Sequence, residues 1–290
     1  MKWNLDNQNL SRNWSQSSDG EATKSYLEYE DLDLYDAYNE GAIETQDISN
    51  RGKYNEVPMY TSMRLNPAIN DTRVRCNKGD NSNIFLIYVY SAPSNFEERL
   101  LIRNTWGSVK HYDGIEFRTV FFIGKLAKGN TNKELLKIRR ESEKHGDLVQ
   151  DLSYVDSYRN LTLKGISALH WIEKYCPSSY RVQKVDDDTV LNPRQIVRFL
   201  KQQNKRVSSS FVCKTTLDSK TNRDPANKYY VSKKQYHLPR YPEYCQGFGY
   251  SYPSSAVPKI LQKLKDFRPI PMEDAFFTGI HQSIKFYITL

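Results

Sequence analysis

Seven consecutive apolar residues, Ile84-Phe85-Leu86-Ile87-Tyr88-Val89-Tyr90, constrain this chain more than any other feature. The run is far short of the roughly 20 residues that a membrane span requires. It also lacks the apolar–polar alternation of a half-buried strand. Such a run fits a strand buried on both faces, the signature of a sheet covered by helices. Phe117–Gly124 has the same character, and Tyr180–Val185 reads as a third strand. Helical spacing lies between and after them. Ser91–Asn95 breaks the first strand, and Asn95 is placed to cap a helix running through Asn104. Residues Asn130–His145 set Leu135, Leu136 and Ile138 on one helical side. Asn160–Tyr175 marks a core face with Leu163, Ile166, Leu169 and Ile172. Pro193 opens a further helix reaching about Gln203. Strands alternating with helices predict an α/β domain with a mixed, mainly parallel sheet. In such sheets ligands bind at the carboxyl ends of the strands.

Composition divides the chain. Residues 1–75 are polar and net acidic, with 8 Lys/Arg against 13 Asp/Glu, and read as a disordered, stem-like segment. Residues 76–290 hold the predicted elements and are net basic, within a formal charge of +8 for the whole chain. A basic body suits an anionic partner such as a phosphorylated small molecule. The basic residues are scattered and no nucleic-acid-binding module is legible, so nucleic acid is not expected as a partner. The N-terminus, Met1-Lys2-Trp3-Asn4-Leu5-Asp6, has no apolar signal region. Cys76, Cys176, Cys213 and Cys245 have no zinc spacing. They fit buried thiols or two disulfides, and the three pairings are equivalent at this level. Sequons occur at Asn9, Asn13, Asn70 and Asn160.

Four segments carry candidate chemistry. Asp186-Asp187-Asp188 follows directly on the third strand. Alternate residues of an extended segment project to one side, so Asp186 and Asp188 are placed to share a hard cation such as Mn²⁺ or Mg²⁺. An acidic turn ahead of Pro193 has the same composition. Arg99 and Arg103 are four apart on one helical face, suited to a diphosphate or to local acidic partners. Glu273-Asp274 precedes Ala275-Phe276-Phe277, where partial desolvation would make a carboxylate a better base. Tyr241–Tyr250 interleaves tyrosine and glycine, as in loops that stack on a sugar or base.

Taken in order, these segments resemble the β-1,3-galactosyltransferase and β-1,3-N-acetylglucosaminyltransferase family, glycosyltransferase family 31. The resemblance covers about residues 83–280. It rests on Phe85-Leu86-Ile87 into Ser91-Ala92-Pro93, Arg99–Arg103-Asn104-Thr105-Trp106-Gly107 and Phe122-Ile123-Gly124. Glu143–Leu148, Asp156–Lys164 and Lys184-Val185-Asp186-Asp187-Asp188 continue it. Lys228–Ser232, Tyr241–Tyr250 and Glu273-Asp274 complete it.

The resemblance implies a GT-A fold and an inverting transfer of galactose or N-acetylglucosamine from a UDP-sugar to a glycan acceptor, with Mn²⁺. It implies Asp274 as the base and Asp188 with Asp186 as metal ligands. Arg99, Arg103, Lys164, Asp186 and Asp187 are implied at the donor, and Tyr244, Gly247 and Glu273 on the acceptor side. It further implies a Golgi membrane protein with a lumenal catalytic domain, although no anchor is legible here. Family members continue well beyond the Glu-Asp pair and supply a histidine near the metal. His281 is the only histidine after Asp274, so 76–290 is expected to be a C-terminally incomplete catalytic domain. The alternative expectation is a truncated, non-catalytic UDP-sugar- or glycan-binding protein of the same fold.

Overall fold

A computed structural model describes residues 67–70, 73–76, 83–127, 132–203, 209–264, 267–280 and 287–288, the last pair as backbone only. The chain divides into the units Met1–Asp47 and Ile48–Leu290, and every described residue belongs to the second. Asn9, Asn13, His281 and most of the acidic segment therefore lie outside the described residues.

Nine strands form one sheet among the described residues. They are β1 (Pro67–Asn70), β2 (Ile84–Tyr90), β3 (His111–Tyr112), β4 (Ile115–Lys125), β5 (Leu148–Val155), β6 (Arg181–Asp186), β7 (Phe211–Thr216), β8 (Tyr244–Tyr252) and β9 (Tyr287–Ile288). Five α-helices intervene among the described residues: α1 (Phe96–Asn104), α2 (Asn132–His145), α3 (Leu161–Tyr175), α4 (Pro193–Gln202) and α5 (Val257–Leu264). The strand order is β1-β5-β4-β2-β6-β8-β7-β9, with β3 paired to β4 as a hairpin. The central run β5-β4-β2-β6 is parallel. The flanking pairs β1–β5, β6–β8 and β7–β8 are antiparallel. The architecture is an open mixed α/β sheet with a parallel centre, in agreement with the sequence reading.

Strand β2 explains the layering. All seven of its residues are buried. Leu86, Tyr88 and Tyr90 enter a core with Ile166, Leu169 and Trp171 of α3 and Ile260 of α5. Phe85, Ile87 and Val89 enter a second core with Ile102 of α1, Ile138 of α2 and Val197 of α4. A two-residue period feeding two apolar layers leaves no polar face, hence the unbroken run in sequence. Strands β4 and β6 flank β2 on opposite sides, so the chain order reverses there. The carboxyl ends of β2, β4 and β6 meet at this switch point.

Local expectations are corrected at three places. The sheet starts at Pro67, inside the segment read as disordered. Strand β1 is a half-exposed edge strand, which is why it reads as polar. Its Asn70 accepts from Trp171 Nε1 at 2.9 Å and donates to the Tyr175 hydroxyl at 2.9 Å. On α2, Ile138 is buried but Leu135 and Leu136 are exposed, because the helix also docks through polar Glu141 and Ser142. Asn95 does not cap α1; its amide donates to Asp187 Oδ2 at 3.0 Å instead. Asn160 donates to the Val155 carbonyl at 2.9 Å, and Thr162 of the same sequon donates to the Ile270 carbonyl at 2.5 Å. The cysteines form two disulfides, Cys76–Cys176 and Cys213–Cys245, which selects one of the three pairings. Among the described residues no helix is long and apolar enough to cross a membrane.

Candidate active site

The end of β2 passes into Ser91-Ala92-Pro93, and Arg99 of α1 holds that turn from behind. Its Nη1 donates to Ser91 Oγ at 2.9 Å and to the Ala92 carbonyl at 2.6 Å, and its Nη2 to the Pro93 carbonyl at 3.2 Å. Nε and Nη2 also grip Glu141 of α2 at 2.8 and 2.7 Å. All five N–H donors of this fully buried guanidinium are thus used. Arg103 donates to Asp147 through Nε and Nη2 at 2.8 and 2.7 Å, and to Glu141 at 2.7 Å. Arg99 thus has no N–H left for a diphosphate, whereas Arg103 has three of its five engaged. Both are held by acids distant in sequence.

Lys164 of α3 is also buried. Its Nζ donates to the Ser91 carbonyl at 2.7 Å and to Asp156 Oδ1 at 2.9 Å. Asp156 Oδ2 accepts from the Gly124 amide at 2.6 Å. One lysine–aspartate pair thereby ties together the ends of β2 and β4 and the start of α3. Burial pushes the Lys164 pKa down, against the attraction of Asp156.

Asp186 ends β6, and the aspartate run turns out of the sheet there. The Asp187 amide donates to the Tyr90 carbonyl at 3.1 Å and its carboxylate faces Asn95. Asp186 Oδ1 accepts from Lys184 Nζ at 2.6 Å. Asp188 is exposed. Among the described residues no three His, Cys, Asp or Glu side chains gather as a metal cage. The donor set still suits a hard cation. Asp186 Oδ2 and the Asp188 carboxylate are oxygen donors, and ions such as Mg²⁺ use one or two carboxylates plus substrate phosphates and waters.

Glu273 and Asp274 are helical and lead directly into a π-helical turn, Ala275–Ile280. Asp274 Oδ2 accepts from the Gly247 amide at 3.1 Å and its Oδ1 from the Ala275 amide at 2.8 Å. Thr278 secures the turn: its hydroxyl donates to the Asp274 carbonyl at 2.6 Å and accepts from the Cys245 amide at 2.9 Å. Burial raises the Asp274 pKa, although the amides of Ala275 and Gly247 and the Lys184 charge oppose it. Gly247 permits this approach, because a Cβ there would lie 3.3 Å from Asp274 Oδ2. Gly165 of α3 is needed for the same reason. A Cβ on it would meet Phe277 at 2.3 Å and the Tyr90 hydroxyl at 2.6 Å.

Of the three residues expected on the acceptor side, Glu273 is the most deeply buried. It is 4 % exposed, bonded to the Tyr250 hydroxyl and 3.8 Å from Lys184 Nζ. Burial pushes its pKa up to about 7. Gly247 acts through its backbone. Tyr244 is half-buried, with its hydroxyl on Ser219 Oγ at 3.2 Å.

Sequence reasoning passed over two features. Lys184, two residues before Asp186, shares its face of β6, and that spacing alone identifies it. Tyr158 and Tyr229 are 42 % and 45 % exposed, with ring centroids 6.2 Å apart and edge-to-face geometry. Lys228 Nζ sits 5.7 Å from the first ring and 4.8 Å from the second. Asp274 and Asp186 add to the burial and the Tyr229 contact that raise the Tyr158 pKa. An exposed aromatic pair thus lies within electrostatic reach of both carboxylates.

Human beta-1,3-galactosyltransferase 5 is 31 % identical over 191 residues, covering 66 % of this chain and 60 % of that protein. Mouse UDP-GalNAc:beta-1,3-N-acetylgalactosaminyltransferase 1 is 30 % identical over 204 residues, covering 70 % and 61 %. The chain thus spans about three-fifths of the length of these curated relatives. A solved mannosyltransferase from Pyrobaculum calidifontis, in complex with GDP-Man and Mn²⁺, aligns with a TM-score of 0.30 at 13 % identity, over 71 % of this chain and 51 % of that one. Apo mouse xyloside xylosyltransferase 1 aligns with a TM-score of 0.30 at 11 % identity, over 71 % and 85 %. The family model described as Galactosyltransferase matches residues 97–285, well over half of the chain, and takes in every site residue from Arg99 to Asp274. The chain therefore belongs to the galactosyltransferase family, glycosyltransferase family 31.

Proposed function

We propose that this chain is an inverting hexosyltransferase that moves galactose, or N-acetylglucosamine, from a UDP-sugar to a glycan acceptor in β-1,3 linkage. The observation that carries the reading is Asp274. Its carboxylate is oriented by two backbone amides and raised in pKa by burial. Inversion needs one displacement at the anomeric carbon, with base and leaving group on opposite faces. Asp274 takes the proton of the acceptor hydroxyl. The acceptor oxygen forms its bond to the anomeric carbon as the bond to the diphosphate oxygen breaks, and UDP departs with that electron pair. Asp186 and Asp188 are the residues to hold Mn²⁺ or Mg²⁺, which when bound neutralises charge on the departing diphosphate. Tyr158, Tyr229 and Tyr244 offer aromatic surface beside the carboxylates for a sugar. The relatives' names add UDP-N-acetylgalactosamine to the donors worth testing. Two disulfides support an oxidising compartment, and we assign the chain to the Golgi lumen on the basis of its family.

The deciding measurement is UDP release from the three UDP-sugars with Mn²⁺ and a panel of glycan acceptors. Acceptor-dependent release that EDTA abolishes is expected. Calorimetric binding of UDP without turnover on any acceptor would replace this reading with a sugar-nucleotide-binding role.

A further inference from the structure

Lys184 is a buried ammonium at the centre of an acidic cluster. Its Nζ donates to Asp186 Oδ1 at 2.6 Å and to the Gly247 carbonyl, and stands 3.8 Å from Glu273 Oε2. It also lies 4.6 Å from the centroid of the Tyr90 ring, a cation–π distance. Asp186 and Glu273 come from separate elements, and Gly247 from a third. The far side of Gly247 matters most: its amide donates to Asp274 Oδ2 at 3.1 Å. A continuous path therefore runs from Asp186 through Lys184 and the backbone of Gly247, from its carbonyl across its Cα to its amide, to Asp274.

We propose that Lys184 is a positioning residue that couples the aspartate run to the proposed base, fixing both through one ammonium. The physical case rests on charge and connectivity. Without the ammonium, Asp186, Glu273 and Asp274 repel one another with no cation between them, and the Gly247 carbonyl loses its buried donor. The peptide that follows Gly247 is then free to rotate, and the restraint it places through the Gly247 Cα on the preceding peptide, whose amide orients Asp274, is lost. A neutral side chain of similar length fills the space but cannot make either bond. This inference rests on the proposed function for its catalytic consequence, but the coupling itself is a property of the fold.

The test uses the full chain and the variants K184M, K184R and K184M/E273Q. The double variant removes one of the carboxylates left unpaired, in case K184M does not fold. Three readouts apply: amide hydrogen exchange at Gly247, calorimetric affinity for UDP with Mn²⁺, and kcat against donor KM. K184M, or the double variant, is expected to exchange the Gly247 amide at least tenfold faster. Its UDP–Mn²⁺ affinity is expected to fall about tenfold and its kcat at least a hundredfold, with K184R recovering part of each. Unchanged Gly247 exchange in a folded variant overturns the coupling, whatever the activity. Faster exchange with unaltered kcat and UDP affinity confines Lys184 to a structural part and overturns its positioning role. A wild-type chain that turns over no UDP-sugar instead refutes the proposed function, while the exchange measurement still decides the coupling.

Discussion

Asp274 and Glu273 are adjacent carboxylates with opposite tasks. The Asp274 carboxylate is partly open and held by two amides, so Asp274→Asn removes the base and keeps one of the two accepted hydrogen bonds. That variant is expected to lose about 10²–10⁴-fold in kcat while calorimetric UDP affinity is retained; unchanged turnover would refute the assignment. Because burial raises its pKa above the ordinary 3.8, activity is lost on the acid side at a pH above that value. The acid limb of a kcat/KM profile measures it. Glu273 influences stability instead. Its pKa is raised from 4.5 to about 7 in the fold, so between these values the folded chain binds more protons than the unfolded one. Stability from this group is then fully present below about pH 4.5 and declines as pH rises through about 7. A shift of that size corresponds to about 3 kcal/mol at most. Denaturation at pH 5 and pH 8 should show Glu273→Gln gaining on the wild type at the higher pH.

At the scale of elements, α1 and α2 are joined by charge as much as by apolar contact. Arg99 and Arg103 share Glu141, whose side chain is 8 % exposed. Arg99→Met leaves that carboxylate one cation short and frees the Ser91–Pro93 turn. Breaking such a buried pair costs about 3–5 kcal/mol, readable as a lower midpoint in urea. Helix α3 meets the site differently, through Gly165 against Tyr90 and Phe277. Gly165→Ala overpacks this contact at a cost of about 1–3 kcal/mol. It also pushes on the π-helical turn after Asp274, so kcat is expected to fall further than the loss of folded protein explains.

At the scale of the whole molecule, the Cys76–Cys176 disulfide joins the segment after β1 to the end of α3, across 100 residues of sequence. Closing a loop of that length removes about 4–5 kcal/mol of unfolded-state entropy in the chain-entropy model. The double variant C76S/C176S, compared with wild type in thermal or chemical unfolding, is expected to lose stability on that scale. An unaltered midpoint would place the constraint elsewhere.

What the sequence determined by itself follows from short-range physics. A seven-residue apolar run at β2, the helical periods around it and the break after Val185 follow from how side chains alternate along a strand or wind around a helix. Those rules also brought Asp186–Asp188 to a strand end. Tertiary structure decided everything that depended on partners distant in the chain. Arg99 and Arg103 suited a diphosphate or local acids equally in sequence, and the fold pairs them with Glu141 and Asp147, about 40 residues on. The polar edge strand β1 read as a tail because an edge needs no apolar face. Glu273 and Asp274 are chemically near-equivalent in sequence, and only the fold buries one against Tyr250 and leaves the other at the surface of the site. Lys184 joins both levels. Its face of the strand was legible from its spacing to Asp186, but its contact with Gly247 exists only because β8 pairs with β6.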